Sequence, residues 1–135
     1  ESSLSPCIHS ILASSLGYDD LAYKFYLRTA RLDLDDYNHD TDDGLHITSM
    51  AGTWMSVVEG FGGVRVQQGV LCLKPSLPKQ WQGYSFRITF RGALLKVSVA
   101  ANAIIIENES DIELSLWVLG AEKKLQARQI STVAR

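Results

Sequence analysis

The sequence changes character within residues 50–73, which read MAGTWMSVVEGFGGVRVQQGVLCL. Its first ten residues have the composition of an apolar helix, and Gly60, Gly62 and Gly63 are typical of a helix end. From Val64 onward, short runs rich in β-branched residues alternate with turn signals, as they do in strands. We therefore predict helices before Gly63 and essentially only strands after it.

Two further helices are predicted before this stretch. Ser5, followed by proline at the first helical position, favours the start of the first helix, and Gly17 favours its end. Asp19 or Asp20 can cap a second helix that extends to about Leu32. Because the connection around Gly17 is short, the two helices are expected to form an antiparallel hairpin.

Seven short strands are predicted after the helices, and turn signals at residues 91–92, 101–102 and 120–121 join several of them into hairpins. Apolar and polar residues alternate within residues 84–90, so one face of that strand is expected to be buried. This succession predicts an antiparallel sheet domain, either a meander or a sandwich of two sheets. The predicted strands span residues 64–67, 70–73, 84–90, 94–99, 104–107, 112–119 and 124–129.

Charge is distributed unevenly along the chain. Residues 1–63 carry ten acidic and three basic side chains, a balance of −7, whereas residues 64–135 carry five acidic and ten basic ones, a balance of +5. Opposite balances predict two structural units with this boundary. The basic side chains of the second part are spread along strands without interleaved aromatic residues, which argues against nucleic acid as a partner.

Composition also argues against several other classes of protein. No apolar run approaches the roughly 20 residues that span a bilayer, and the first residues lack the features of a signal peptide, so neither a membrane partner nor export is expected. Cys7 and Cys72 lie far apart in the sequence and form no CxxC pair, which fits a reducing cytoplasm. The three histidines lack metal-ligand spacing. A calcium loop that begins at Asp36 would have Thr41 in place of its glycine and Ile47 in place of its glutamate, so no metal is predicted.

The start of the third helix is the strongest candidate for a binding site. A helix start offers unpaired backbone N–H groups and the positive end of the helix dipole, which together suit phosphate, sulfate or carboxylate. This one carries His46, Thr48 and Ser49, and the small Ala51 and Gly52 would let an anion approach the backbone. The simpler interpretation is that Thr48 or Ser49 caps the helix and that His46 packs within a loop.

A second hydroxyl-rich helix start precedes the first helix. Ser2 and Ser3 stand directly before the segment that Ser5 is expected to cap. If the two helix starts lie at the same end of a helical barrel, their hydroxyl groups and amides could bind one anion together. The sequence does not determine that convergence, and capping is the simpler role for these serines as well.

Longer motifs make the chain resemble the maltose, trehalose and kojibiose phosphorylase family, which is of the glycoside hydrolase family 65 type. The motifs are SSLSPC at residues 2–7, TARLDLDD at residues 29–36 and GLHITSMAGTW at residues 44–54. The strand segment YSFRI at residues 84–88 is similar to the family as well. The resemblance extends over essentially the whole chain and is looser after about Val99.

The resemblance implies an α+β fold class in a chain that is the C-terminal fragment of a longer enzyme. Residues 1–63 would be the last helices of an (α/α)6 catalytic barrel, and residues 64–135 would be a C-terminal antiparallel β domain of the sandwich type. The lack of an initial methionine agrees with a fragment. The complete enzyme is expected to be a cytoplasmic homodimer that includes the remainder of the parent chain.

The same resemblance implies an inverting phosphorolysis, in which phosphate attacks the anomeric carbon while a carboxylic acid protonates the glycosidic oxygen. Maltose and phosphate would give glucose and β-glucose 1-phosphate, with inorganic phosphate as a substrate and no cofactor. The general acid is expected upstream of Glu1, which is not itself assigned that role, so the chain alone is expected to be inactive. The residues that resemble the family's phosphate contacts are Ser2, Ser3, His46, Thr48 and Ser49.

Other functions stay open at this point. Trehalose or kojibiose could replace maltose as the disaccharide, since the residues that shape the acceptor site are expected mostly outside this chain. A hydrolase of the same family is a second alternative, in which activated water replaces phosphate. A non-catalytic β scaffold, or a sugar-binding module that uses exposed tryptophan side chains, is an alternative of another class.

Overall fold

The computed structural model describes residues 2–135 and divides into two compact units, one ending at Phe61 and the other beginning at Gly62. Within the described residues, every helix lies in the first unit and every strand in the second, which confirms the predicted change from helix to strand. No helix in this described part is both long and apolar enough to cross a membrane.

The first unit contains three α-helices in its described part. α1 spans Ser5–Ser15, α2 spans Asp19–Ala30 and α3 spans Ile47–Met55. A π-helical turn over Ser56–Phe61 extends α3, and a short 3-10 turn over Thr41–Asp43 lies in the loop before it. α1 packs against α2, as the predicted hairpin of these two helices requires. It also packs against α3 and the π-helical turn.

The helix starts differ from the predicted caps by one residue. α1 begins at Ser5 after Leu4, and α2 begins at Asp19 after Tyr18, and neither preceding residue makes a side-chain capping bond. Ser5, Asp19 and Asp20 therefore lie inside the first turns and do not cap them. The two carboxylates still favour the start of α2, because negative charge is stabilised at the positive end of the helix dipole.

The second unit contains eight strands, which form two four-stranded sheets. Their bounds are β1 Arg65–Gln67, β2 Val70–Leu73, β3 Gly83–Phe90, β4 Ala93–Ala100, β5 Ala103–Asn108, β6 Leu114–Val118, β7 Ala121–Leu125 and β8 Ile130–Ala134. One sheet has the order β1-β2-β6-β7, and the other has the order β3-β4-β5-β8. Alternate residues of β4 are buried, as the alternating pattern predicts for a sheet with one buried face.

Two features depart from the predicted antiparallel domain. β2 and β6 are parallel neighbours, with Cys72 opposite Trp117, because residues 74–113 carry the chain through the other sheet before it returns. The sequence predicts one strand over residues 124–129, but residues 126–129 form a turn that separates β7 from β8. In that turn the Gln126 N–H donates to Gln129 Oε1 at 2.7 Å.

Candidate functional site

The starts of α1 and α3 lie side by side in the helical unit. Gly52 allows this approach, because a Cβ atom at that position would lie 2.9 Å from the Cβ atom of Cys7. Directly before α1, the carbonyl oxygen of Ser3 accepts a 2.9 Å hydrogen bond from the hydroxyl group of Ser49, in the first turn of α3. Two hydroxyl-rich segments that are 46 residues apart in the sequence therefore meet in the fold.

His46 immediately precedes α3 and is held by Asp33, in the loop after α2. One carboxylate oxygen of Asp33 accepts the backbone N–H of His46 at 2.8 Å, and the other lies 2.6 Å from the ring atom Nδ1. Across the ring, Nε2 lies 3.5 Å from a carboxylate oxygen of Asp40. The side chains of His46 and Asp33 are only 21% and 12% exposed, so the pair is largely shielded from solvent.

The hydrogen bond between Asp33 and His46 favours the charged form of both groups. It holds the pKa of the Asp33 carboxyl group below its ordinary value and raises the pKa of the His46 imidazole, which the Asp40 charge raises further. The carboxylate of Asp33 is therefore the acceptor and Nδ1–H the donor.

The two shifts set the pH range in which the pair stabilises the fold. The raised pKa makes the contribution of His46 complete below its ordinary pKa, and this contribution is lost as the pH rises through the raised value. The lowered pKa of Asp33 makes its contribution complete above its ordinary pKa, and this contribution is lost as the pH falls through the lowered value. The ion pair is therefore strongest above the ordinary pKa of the aspartate carboxyl group and below the ordinary pKa of the imidazole, which is the mildly acidic range.

The five predicted phosphate contacts differ in accessibility. Ser2 and Thr48 are exposed, Ser3 and His46 are partly buried, and Ser49 is buried. The backbone N–H of Ser49 donates to the carbonyl oxygen of His46 at 2.9 Å, and its hydroxyl group donates to the carbonyl oxygen of Ser3. Ser49 is thus bonded to the two partly buried residues. Ser3, His46 and Ser49 therefore form one connected group, which is the part of the predicted site that the structure brings together.

Two separate clefts open near these residues. Ser49 and Asp33 line a cleft of about 420 Å³ between the end of α2 and the start of α3, with mostly apolar walls. Ser2 lines a different cleft of about 310 Å³, together with His9 and Arg28. The hydroxyl oxygen of Ser2 accepts the backbone N–H of Leu4 at 3.3 Å.

Two local predictions for α3 are wrong. The helix begins at Ile47 with His46 in the N-cap position, so Thr48 and Ser49 lie within its first turn and do not cap it. The Ser49 hydroxyl bonds to the segment before α1 because the two helix starts are neighbours. Gly52 is buried against α1, so its small size serves helix packing and not the approach of an anion.

Sequence reasoning missed Asp33 and Asp40. Both belong to the acidic run 33–44, whose composition is equally typical of a solvated loop, and Asp33 is 13 residues from His46. The one available signal was the proximity of this run to a helix start that carries histidine. Glu1, which is not assigned the role of the general acid, lies outside the described residues.

Curated relatives resemble nearly the whole chain. The maltose phosphorylase of Bacillus subtilis (strain 168) is 52% identical over 128 residues, which is 95% of this chain and 17% of the relative. The alpha,alpha-trehalose phosphorylase of Thermoanaerobacter brockii is 50% identical over 105 residues, which is 78% of this chain and 14% of the relative. The chain therefore spans about one sixth of the length of these relatives.

A solved structure and two family profiles extend the comparison. The structure of a candidate kojibiose phosphorylase from the human microbiome covers 100% of this chain and 20% of its own length, with 42% identity and a TM-score of 0.92. Residues 1–55 match the profile of the glycosyl hydrolase family 65 central catalytic domain, and residues 64–125 match that of the family's C-terminal domain. Because both parts match one family in chain order, the chain belongs to glycosyl hydrolase family 65.

Proposed function

We propose that the chain is the C-terminal part of an inverting disaccharide phosphorylase and that it supplies the phosphate-binding corner of the active site. Residues 1–63 are assigned to the last helices of an (α/α)6 catalytic barrel, and residues 64–135 to the C-terminal β domain. Maltose is the proposed disaccharide, supported by the 52% identity to a maltose phosphorylase. The complete enzyme is proposed to be a cytoplasmic homodimer, as the family resemblance implies.

The observation that carries this proposal is the hydrogen bond from the Ser49 hydroxyl to the Ser3 carbonyl. It joins the starts of α1 and α3, so the positive dipole ends of two helices lie next to each other. Each helix start by itself favours an anion, and two starts at one place favour it more. Phosphate carries the charge and the acceptor oxygens that such a place binds.

His46 adds a side-chain donor to this corner. Its Nδ1 faces Asp33, so Nε2 is the ring atom that can face an anion. The raised pKa of the imidazole favours the doubly protonated ring, in which Nε2 also carries a proton. A hydrogen bond from a charged donor to phosphate is stronger than one from a neutral donor.

The chemistry explains why a phosphate corner takes the place of a second carboxylate. An inverting hydrolase uses one carboxyl group to protonate the leaving oxygen and a second one to deprotonate water. Phosphate is already an anion at neutral pH, so it needs to be held in line with the anomeric carbon and does not need to be deprotonated. We assign that holding role to Ser2, Ser3, His46, Thr48 and Ser49.

Asp40 is expected to weaken phosphate binding, because its carboxylate lies 3.5 Å from Nε2 of His46. In the complete enzyme, Asp40→Asn should lower KM for phosphate by about two- to fivefold, the range expected for one half-exposed charge. Asp42→Asn, in the same exposed loop, is the matched control and should leave KM unchanged. A higher KM for phosphate in Asp40→Asn would show that this carboxylate supports the site.

The proposed reaction is tested with the complete enzyme and maltose, trehalose or kojibiose, each with and without inorganic phosphate. We expect phosphate-dependent release of β-glucose 1-phosphate, with the anomeric configuration read by proton NMR. Glucose release that does not depend on phosphate would identify a hydrolase of the family instead. Light scattering of the same sample tests the homodimer.

The purified 135-residue chain is expected to release no β-glucose 1-phosphate in this assay, because the general acid is assigned to a segment upstream of Glu1. The complete enzyme serves as the positive control. Product from the isolated chain would place a sufficient acid within it and refute the assignment. Sugar binding by the isolated chain without turnover would favour the non-catalytic alternative, for which Trp54, 53% exposed on α3, and Trp117, 46% exposed on β6, are available platforms.

A further inference from the structure

We infer that Asp33 is a positioning residue for phosphate binding: its carboxylate fixes the ring of His46 so that Nε2 is presented to the phosphate. The inference rests on the proposed function, in which His46 contacts phosphate. Asp33 itself carries a negative charge and is not assigned a contact with that anion. Its role is exerted through His46.

The geometry that supports this role is a two-point attachment to a single residue. One oxygen of Asp33 binds the backbone N–H of His46 at 2.8 Å, and the other binds Nδ1 of the ring at 2.6 Å. A bond to the ring alone would leave the side chain free to turn with its partner. Because the same carboxylate also holds the backbone, it fixes the ring relative to the start of α3.

The carboxylate is itself held in place. Asp33 follows the buried Leu32, whose carbonyl oxygen accepts the backbone N–H of Tyr37 at 3.0 Å. The side chain of Asp33 is only 12% exposed, so water competes weakly for its two bonds. Asp35, two residues further, differs: its half-exposed carboxylate pairs with Arg31 at 2.6 Å.

The charged surroundings of the ring single out Asp33 and Asp40. α3 contains no ionisable side chain, and α1 contains two. The thiol of Cys7 donates to the carbonyl oxygen of Leu4 at 3.1 Å, and the ring of His9 lies 5.1 Å from that of Phe25. Arg28 of α2 lies over the ring of Tyr37. In the loop, the negative charge of Asp36 works to raise the pKa of Asp33. A carboxylate oxygen of Asp36 itself lies 3.6 Å from Nδ1 of His39.

Asp33 and Asp40 have opposite consequences for an anion at the ring. Asp33 lies at Nδ1, and its charge favours a proton on the imidazole while leaving Nε2 to the ligand. Asp40 lies at Nε2 itself, where it opposes an anion. Only Asp33 therefore fits a supporting role in phosphate binding.

The test compares Asp33→Asn, His46→Ala and the double variant in the complete enzyme. Asparagine keeps the shape of the side chain but can offer only one acceptor oxygen and no charge. We expect Asp33→Asn to raise KM for phosphate by about tenfold and to leave KM for disaccharide and kcat at saturating phosphate within about twofold. Asp35→Asn removes the same charge two residues away and should change neither KM.

The double variant separates positioning through His46 from a direct effect of the charge. If Asp33 acts through the imidazole, the double variant should have the same KM for phosphate as His46→Ala alone. If the two effects multiply, Asp33 acts independently and the inference is overturned. If His46→Ala alone raises KM and Asp33→Asn does not, the inference fails while the proposed phosphate site stands. If neither variant changes KM, both fail.

The pH dependence provides a readout that a purely structural role would not change. Because the protonated ring binds phosphate better, KM for phosphate should rise as the pH rises through the raised pKa of His46. In Asp33→Asn this rise should begin at lower pH.

A second measurement keeps the inference testable should Asp33→Asn not fold. Histidine labelled with ¹⁵N in the unsubstituted enzyme should show Nδ1 protonated across the titration of His46, with the His46→Ala spectrum giving the assignment. A neutral His46 that carries its proton on Nε2 would overturn the inference.

Discussion

Replacement of His46 by alanine in the complete enzyme is expected to raise KM for phosphate by roughly tenfold to a hundredfold and to change KM for the disaccharide little. The reason is that the variant loses a charged hydrogen-bond donor to the nucleophile but no contact with the sugar. Steady-state kinetics with each substrate varied separately measures both constants.

His39→Ala is the matched control for this experiment. His39 lies in the same loop, but its side chain is 89% exposed and its Nδ1 is 3.6 Å from Asp36. Its removal takes away one histidine without touching the group formed by Ser3, His46 and Ser49, so both KM values should stay unchanged. An equal effect of both substitutions, or no effect of His46→Ala in a folded enzyme, would show that His46 has no specific role in phosphate binding and that the helix starts have only a structural role.

Replacement of Gly63 by alanine is expected to destabilise the strand unit by about 3 kcal/mol or more, among the largest costs of a single methyl group. Gly63 has a φ of +58°, and a Cβ atom there would lie 2.3 Å from the carbonyl oxygen of Lys74. Both obstacles involve backbone, and the Lys74 N–H donates to the Gly63 carbonyl at 3.4 Å, so neither segment can move freely. Urea unfolding of the chain, followed by far-ultraviolet circular dichroism, gives the change in free energy.

Gly120→Ala separates backbone strain from steric collision. Gly120 also has a positive φ, +82°, but no atom lies within 4 Å of the position that its Cβ would take. Its replacement should therefore cost only about 1 kcal/mol, the range for a left-handed residue that is not glycine. Equal losses at Gly63 and Gly120 would mean that the collision with Lys74 is relieved, in contradiction to the expected difference.

The secondary structure could be read from the sequence because its signals are local. The glycines at the end of the third helix and the alternation in residues 84–90 depend on neighbours in the chain, and both predictions are confirmed. Predictions that depended on single cap residues were less accurate. At α3 the helix starts before Thr48 and Ser49, and Asp33 brings a carboxylate to that start from 13 residues away.

The parallel pairing of β2 with β6 could not be predicted in the same way. Its partners, Cys72 and Trp117, are separated by three of the four strands of the second sheet, and no local pattern indicates that β6 returns to pair with β2. The last strand was missed for a related reason. Residues 126–129 have a composition compatible with a strand, and the turn depends on a bond between Gln126 and Gln129.

The sequence by itself determined the order of helices and strands, the change in charge between the two parts and the residue types at the two helix starts. Only the tertiary structure decided that Ser3 and Ser49 are hydrogen-bonded and that Gly52 packs against Cys7. It also decided that Asp33 binds both the backbone N–H and the ring Nδ1 of His46. The physical reason is that periodicity and turn chemistry act over a few residues, whereas these contacts join segments 13 to 46 residues apart. Such contacts form only when burial of the helix faces brings the segments together.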